Sequence, residues 1–220
     1  METATALDHL RHAEDVPGPD RVVRPALLIV DMQNDFVRVG APLEVPDARA
    51  TIPAIRRLAK AFRARGLPVI HTRFVTDQTP GLMWLWSPQC RPDADRCCWR
   101  GHMRRYGDIE GPREAIAVID ELAPAPGEHI VDKHGYGAFH GTGLKALLDG
   151  LGVRSVVVCG TVTQICVEET GREAFHHGLR TTLVSDAVSS FDDGLHAASL
   201  RNFAMKFGWV AEADTVCAWL

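Results

Sequence analysis

Short runs of consecutive apolar, largely β-branched residues alternate along the chain with longer stretches in which apolar positions recur every three or four residues. The runs Ala26-Leu27-Leu28-Ile29-Val30, Leu67 to Arg73, Glu128 to Asp132, Arg154 to Val158 and Thr181 to Ser185 predict strands, the continuous ones buried on both faces as in a parallel sheet. Between them, Ile52, Ile55, Leu58, Ala59 and Phe62 predict a helix capped by Thr51, with Pro53 in its first turn and Gly66 at its end. Further helices are expected over Pro112 to Leu122, from Thr142 to Gly150, after Cys166 to Phe175 and from Leu195 to Phe207, with Trp209-Val210 as an edge strand. Strands alternating with helices predict an α/β fold, a parallel sheet covered on both faces by right-handed crossovers.

Two segments break this alternation. Residues 1–24 are polar and interrupted by Pro17, Gly18 and Pro19, which predicts an arm lying on the surface or on a neighbouring subunit, ahead of a domain spanning 25–220. Residues 74–111 are far longer than the ~4–6 residues of an ordinary connection. Trp84, Trp86 and Trp99 with Arg100, Arg104 and Arg105 predict an ordered lid or subunit contact there, because disordered linkers are poor in aromatics. Cys90, Cys97, Cys98 and His102 in the same segment lack the paired ligand spacing of a zinc ribbon or finger, and read as reduced thiols beside an ordinary histidine.

Composition narrows the function classes. With 46% hydrophobic residues, 24% charged residues and a formal charge of -4, the chain reads as a soluble globular protein with no general attraction to nucleic acid or to an anionic membrane. No apolar run has the length of a membrane span, and Met1 to Asp20 lack the apolar core of a signal peptide, so a cytoplasmic location is expected.

Three reactive residue types fall at the C-terminal ends of predicted strands: Asp31 after Ile29-Val30, Lys133 after Val131-Asp132, and Cys166 a turn beyond Val158. Each has an ordinary explanation: a loop-capping aspartate, a surface lysine, a buried packing cysteine. Together, at the edge of a parallel sheet where α/β folds bind ligands, they supply what an activated thiol requires: a base, a cation and a nucleophile. A helix N-terminus at Cys166 would also favour its thiolate.

The strings Leu28-Ile29-Val30-Asp31-Met32-Gln33-Asn34-Asp35-Phe36, Asp132-Lys133 and Gly160-Thr161-Val162-Thr163-Gln164-Ile165-Cys166-Val167 resemble the isochorismatase-like cysteine hydrolases over residues 25–215. The resemblance implies a three-layer α/β/α sandwich around a six-stranded, mostly parallel sheet. It implies Cys166 as nucleophile, Asp31 as general base and Lys133 as the orienting cation. It also implies a cis peptide between Thr161 and Val162, with the Val162 and Cys166 amides forming an oxyanion hole. Nicotinamidases of this superfamily carry an Asp-x-His metal motif after the second strand, where this chain reads His71-Thr72-Arg73-Phe74-Val75-Thr76-Asp77-Gln78. No cofactor or metal is therefore expected. Retention of Cys166 points to hydrolysis of an amide or N-carbamoyl bond with release of ammonia, as in the ureidoacrylate amidohydrolase and N-carbamoylsarcosine amidase branches. The competing readings are a metal-dependent nicotinamidase and a catalytically silent binding protein of the same fold. Phe36, Trp84, Trp86 and Tyr136 are candidate pocket walls, and Arg73 or Arg105 a candidate partner for a substrate carboxylate. A homo-oligomer, dimer or tetramer, is expected by the same resemblance.

Overall fold

The computed structural model describes residues 12–78 and 81–220. Among them the strands are β1 (Pro25–Val30), β2 (Val69–Phe74), β3 (Met103–Arg105), β4 (Pro112–Glu114), β5 (His129–Lys133), β6 (Ser155–Thr161), β7 (Arg180–Ser189) and β8 (Trp209–Ala211). The helices are α1 (Gly18–Arg21), α2 (Asn34–Val37), α3 (Ala48–Ala64), α4 (Gly81–Trp86), α5 (Leu144–Gly150), α6 (Glu168–His176), α7 (Asp193–Lys206) and α8 (Ala213–Trp219). Six strands form one sheet in the order β5-β2-β1-β6-β7-β8, parallel throughout. β3 and β4 form a separate antiparallel hairpin within the long segment.

Alternation along the central strands builds the two cores. Leu27 and Ile29 of β1, with Val157 and Cys159 of β6, face the layer containing α3 and α8. Ala26, Leu28, Val30, Val156 and Val158 face α5, α6 and α7. Successive strand side chains point to opposite faces, so an uninterrupted apolar run is what a sheet covered on both sides demands. The chain runs outward from β1 to β2 and β5, then returns to the other side of β1 for β6, β7 and β8. The direction reverses between β1 and β6, which is where an open α/β sheet leaves a crevice at its carboxyl ends.

Several boundaries depart from the sequence reading. No helix forms over Pro112 to Leu122. Its backbone bonds go to the loop after β1 instead: Asn34 and Asp35 donate to the Ala117 and Ala115 carbonyls, and Ile119 donates to Met32. Ile116, Ile119 and Leu122 are nonetheless buried, so the three-residue apolar spacing reflects real burial by an irregular strip ending in the 3-10 turn Asp120–Leu122. α3 begins at Ala48, a turn before Thr51, whose hydroxyl donates to the Ala48 carbonyl rather than capping. Residues 1–11 of the expected arm lie outside the described residues. Its remainder packs on the chain's own sheet edge: the Trp209 indole donates to the Ala13 carbonyl, and the Arg21 guanidinium lies over the rings of Trp209 and Trp219. No helix among the described residues is long and apolar enough to cross a membrane.

Candidate active site

β1 delivers Asp31 at its carboxyl end, in a left-handed conformation (φ 52°), and the Thr72 hydroxyl of β2 donates to its Oδ1 at 2.6 Å. The Gln33 carboxamide pairs with both backbone groups of Phe74, accepting from its N–H at 2.6 Å and donating to its carbonyl at 3.0 Å. This side chain continues the β1 to β2 ladder past the point where the backbones separate. β5 ends at Lys133, which is fully buried. Its ammonium meets Asp31 Oδ2 at 2.8 Å, the Tyr136 carbonyl at 2.9 Å and the Gly135 carbonyl at 3.1 Å. The Gly135 and Tyr136 carbonyls take two of its three N–H donors, and the remaining one faces the Asp31 carboxylate and the Cys166 thiol.

β6 ends at the cis peptide Thr161–Val162 and runs into a π-helical turn, Thr163–Val167, that carries Cys166 ahead of α6. Gly160 permits this approach to β1: with φ 114°, a Cβ there would fall 2.1 Å from the Val30 carbonyl oxygen. π turns are rare and recur at functional sites. The structure thus brings Asp31, Lys133 and Cys166 together, although they are far apart in the chain. The thiol sits against both groups. Burial pushes Cys166 up to about 12, with the Lys133 ammonium pulling the other way and the Asp31 carboxylate adding to the rise. Burial alone would lower Lys133, but Asp31 and then Cys166 outweigh it and its pKa is raised. Burial thus favours the neutral thiol, and the Lys133 ammonium favours the thiolate.

A cleft of about 720 Å³ opens above Cys166. Phe36, Trp86, Tyr136 and Val162 line it, as expected for the aromatics, and so do Phe74, Ile165 and Phe191, which sequence reasoning missed. The rings of Phe36, Phe74 and Tyr136 form a wall with centroids 6.3 and 5.9 Å apart. Trp84 lies outside the lining, its indole donating to the Thr76 carbonyl at 3.4 Å, and Arg105 is exposed on β3. Arg73 is also outside. Thr72 and Phe74 point to the Asp31 side, so strand alternation turns Arg73 away, where it binds Asp132 through Nε at 2.7 Å and Nη2 at 3.0 Å. The same parity sends Asp132 and Lys133 to opposite sides of β5, in register with Arg73 and Phe74. Period-two counting from Lys133 would have revealed this.

The only metal-ligating trio found among the described residues is Asp35, Cys97 and Cys98, with ligand atoms within 4.8 Å of one another. Asp35 already accepts from the Cys98 N–H, the Tyr106 hydroxyl and Arg104, and the Arg104 guanidinium balances its charge and opposes a cation. The donor set does not fit a metal as it stands. Cys90, Cys97 and Cys98 are free and buried, and His102 is not among the trio.

Buried thiols make stability alkaline-sensitive. Burial pushes Cys98 up to about 11 and Cys166 to about 12, and it also raises Cys159. In the unfolded chain these groups lose protons near pH ~8.5, so that state binds fewer protons than the native one above that pH. Stability is fully present below pH ~8.5 and falls as pH rises toward 11, by roughly 1.4 kcal/mol per pH unit for each thiol. Urea melts at pH 7.5, 9 and 10 should show the fall, and Cys159→Ala should flatten its slope. A pH-independent midpoint over that range would contradict it.

The fold and this site define a hydrolase of the cysteine-centred α/β class. The isochorismatase domain model matches residues 25–215, and the chain belongs to that family. A ureidoacrylate amidohydrolase, RutB, of Pseudomonas savastanoi pv. phaseolicola is 31% identical over 217 residues, covering 94% of this chain and 87% of that protein. Nicotinamidase 3 of Arabidopsis thaliana is 32% identical over 192 residues, covering 86% and 85%. Among solved structures, a cysteine hydrolase from Pseudomonas syringae pv. phaseolicola has a TM-score of 0.80 at 28% identity and 93% coverage of both chains. An N-carbamoylsarcosine amidase from Thermoplasma acidophilum has a TM-score of 0.67 at 29% identity, covering 87% of this chain and 98% of that one.

Proposed function

We propose that the protein is a cysteine amidohydrolase that cleaves the C–N bond of a small primary amide or N-carbamoyl compound. The observation that carries this reading is the buried Asp31–Lys133 pair, 2.8 Å apart, held against the Cys166 thiol at the floor of the cleft. Asp31 takes the thiol proton as sulfur bonds to the substrate carbonyl, which spares the enzyme a standing buried thiolate. The oxyanion is received by the Val162 and Cys166 amides; both residues line the cleft. As the intermediate collapses, the C–N bond breaks and Asp31 returns the proton to nitrogen, which leaves as ammonia. Water, deprotonated by Asp31, then attacks the acyl-enzyme; the C–S bond breaks and the thiol is restored. Lys133 holds Asp31 through the ion pair and balances its charge beside the thiol. The relatives named for ureidoacrylate and N-carbamoylsarcosine support C–N hydrolysis at such a site.

The segment 74–111 supplies Trp86 and Gln89 to the cleft rim and is assigned as its partial cover. An oligomer and a cytoplasmic location remain the expectation.

A panel of N-carbamoyl compounds, ureidoacrylate, primary amides and nicotinamide, assayed for ammonia release, tests the reading. Turnover of an amide or N-carbamoyl member, undiminished by exhaustive chelation, is expected. Activity confined to nicotinamide, lost to chelator and restored by zinc or iron, would assign the metal-dependent branch instead.

A further inference from the structure

The cleft carries information about its ligand beyond the reacting bond. Among the described residues no lysine, arginine or histidine lines it. Its single acidic side chain, Glu44, is neutralised by Arg49 at 2.8 Å and accepts the Gly40 N–H at 2.8 Å. The catalytic floor is also balanced, because the Asp31 carboxylate is compensated by Lys133 and the thiol is neutral. Nearby arginines are committed elsewhere: Arg73 to Asp132, Arg100 to Asp77 and Asp132, Arg104 to Asp35. What remains is an aromatic and aliphatic wall, Phe36, Phe74, Tyr136, Ile165 and Phe191, with Ser87 and Gln89 as neutral hydrogen-bonding groups at the rim.

Resting on the amidohydrolase reading above, we propose that the non-reacting part of the substrate is an uncharged, apolar group of ring size, and that the cleft excludes a carboxylate. A carboxylate entering this wall would lose its water with no cation to replace it, which is a net cost however good the shape fit. An apolar ring gains by the same transfer and can stack against the Phe36, Phe74 and Tyr136 rings. The cleft volume of about 720 Å³ lies within the range of sites that take drug-sized ligands, and exceeds what a bare urea or a four-carbon amide acid would fill. The expectation of a substrate carboxylate held by Arg73 is thereby replaced.

The test uses two alkylating probes of nearly equal size that differ in charge, iodoacetamide and iodoacetate, with mass-spectrometric quantification at Cys166. Because alkylation needs no turnover, the result is separable from the failure of the amidase reading, which Cys166 replacement and the amide panel address. Relative to a free thiol in the same buffer, Cys166 should favour iodoacetamide over iodoacetate by a further factor of about 10² or more, the size expected for desolvating an unpaired charge. Gln89→Arg, which adds a cation to the cleft lining, should reduce that factor at least tenfold by raising the iodoacetate rate relative to the iodoacetamide rate. In the wild type, a benzamide- or phenylurea-like amide should exceed its carboxylate-bearing counterpart in kcat/KM. Equal discrimination by Cys166 and the free thiol would overturn the proposal, as would preferred turnover of the carboxylated member of such a pair.

Discussion

Cys166→Ala and Cys166→Ser are expected to lower kcat by at least about 10³-fold, the loss typical when a nucleophile acting in concert with its base is removed. Alanine leaves no atom to form the acyl-enzyme. Serine leaves one, but its hydroxyl is far harder to deprotonate than a thiol. Cys166 is small and buried in the π turn ahead of α6, so neither change should disturb the fold beyond a shift of a few degrees in Tm. Ammonia release together with circular dichroism separates loss of chemistry from loss of structure. Retention of more than a few per cent of the wild-type rate by both variants would show that sulfur is not the attacking atom.

Lys133→Met should damage both activity and stability. Removing the ammonium strands the Asp31 carboxylate in the interior with no opposite charge, left with the Thr72 hydroxyl and the Cys166 thiol, and breaking one side of a buried ion pair costs roughly 3–5 kcal/mol. It also releases the carbonyls of Gly135 and Tyr136, loosening the turn that presents the Tyr136 ring to the cleft. Because the native lysine pKa is raised, the pair's contribution is fully present below the ordinary lysine value of ~10.4 and is lost only as pH climbs through the raised one. The deficit of the variant should thus be constant between pH 6 and 9. The double variant Asp31→Asn with Lys133→Met separates the two effects: stability should recover substantially and activity should not. Denaturant melts of Lys133→Met, of Asp31→Asn alone and of the double variant, beside the wild type, measure this coupling. A single Lys133→Met variant as stable as the wild type would refute the buried-pair account.

Much of this was written in the chain. The apolar runs of β1 and β6 announce a sheet covered on both faces, and three of the predicted strands lead into Asp31, Lys133 and Cys166. What the sequence concealed has physical causes. Residues 112–122 carry helix-like spacing, but their N–H and carbonyl groups find better partners in the loop after β1 than in each other, a tertiary choice that local propensity does not register. Arg73 sits at the correct edge of the sheet on the wrong face, an error of parity rather than position. Phe191 and Phe74 are ordinary strand-end phenylalanines until folding gathers them around Cys166. The thiol's high proton affinity depends on burial, which no stretch of sequence displays. The short α8 carries only Ala213 and Val216 as buried contacts, too few to register as a period.

The Gln33 clasp on Phe74 has an implication for how the cleft can change. It grips main-chain atoms alone, so the segment bearing Asp31 is anchored to the end of β2 without regard to which side chain Phe74 carries. The ring can be exchanged to suit another ligand while the base keeps its place. Position 74, whose ring also lies 5.0 Å from the Lys133 ammonium, is therefore a site where selectivity can be varied by laboratory evolution, whereas any exchange at position 33 that loses the carboxamide removes both backbone bonds.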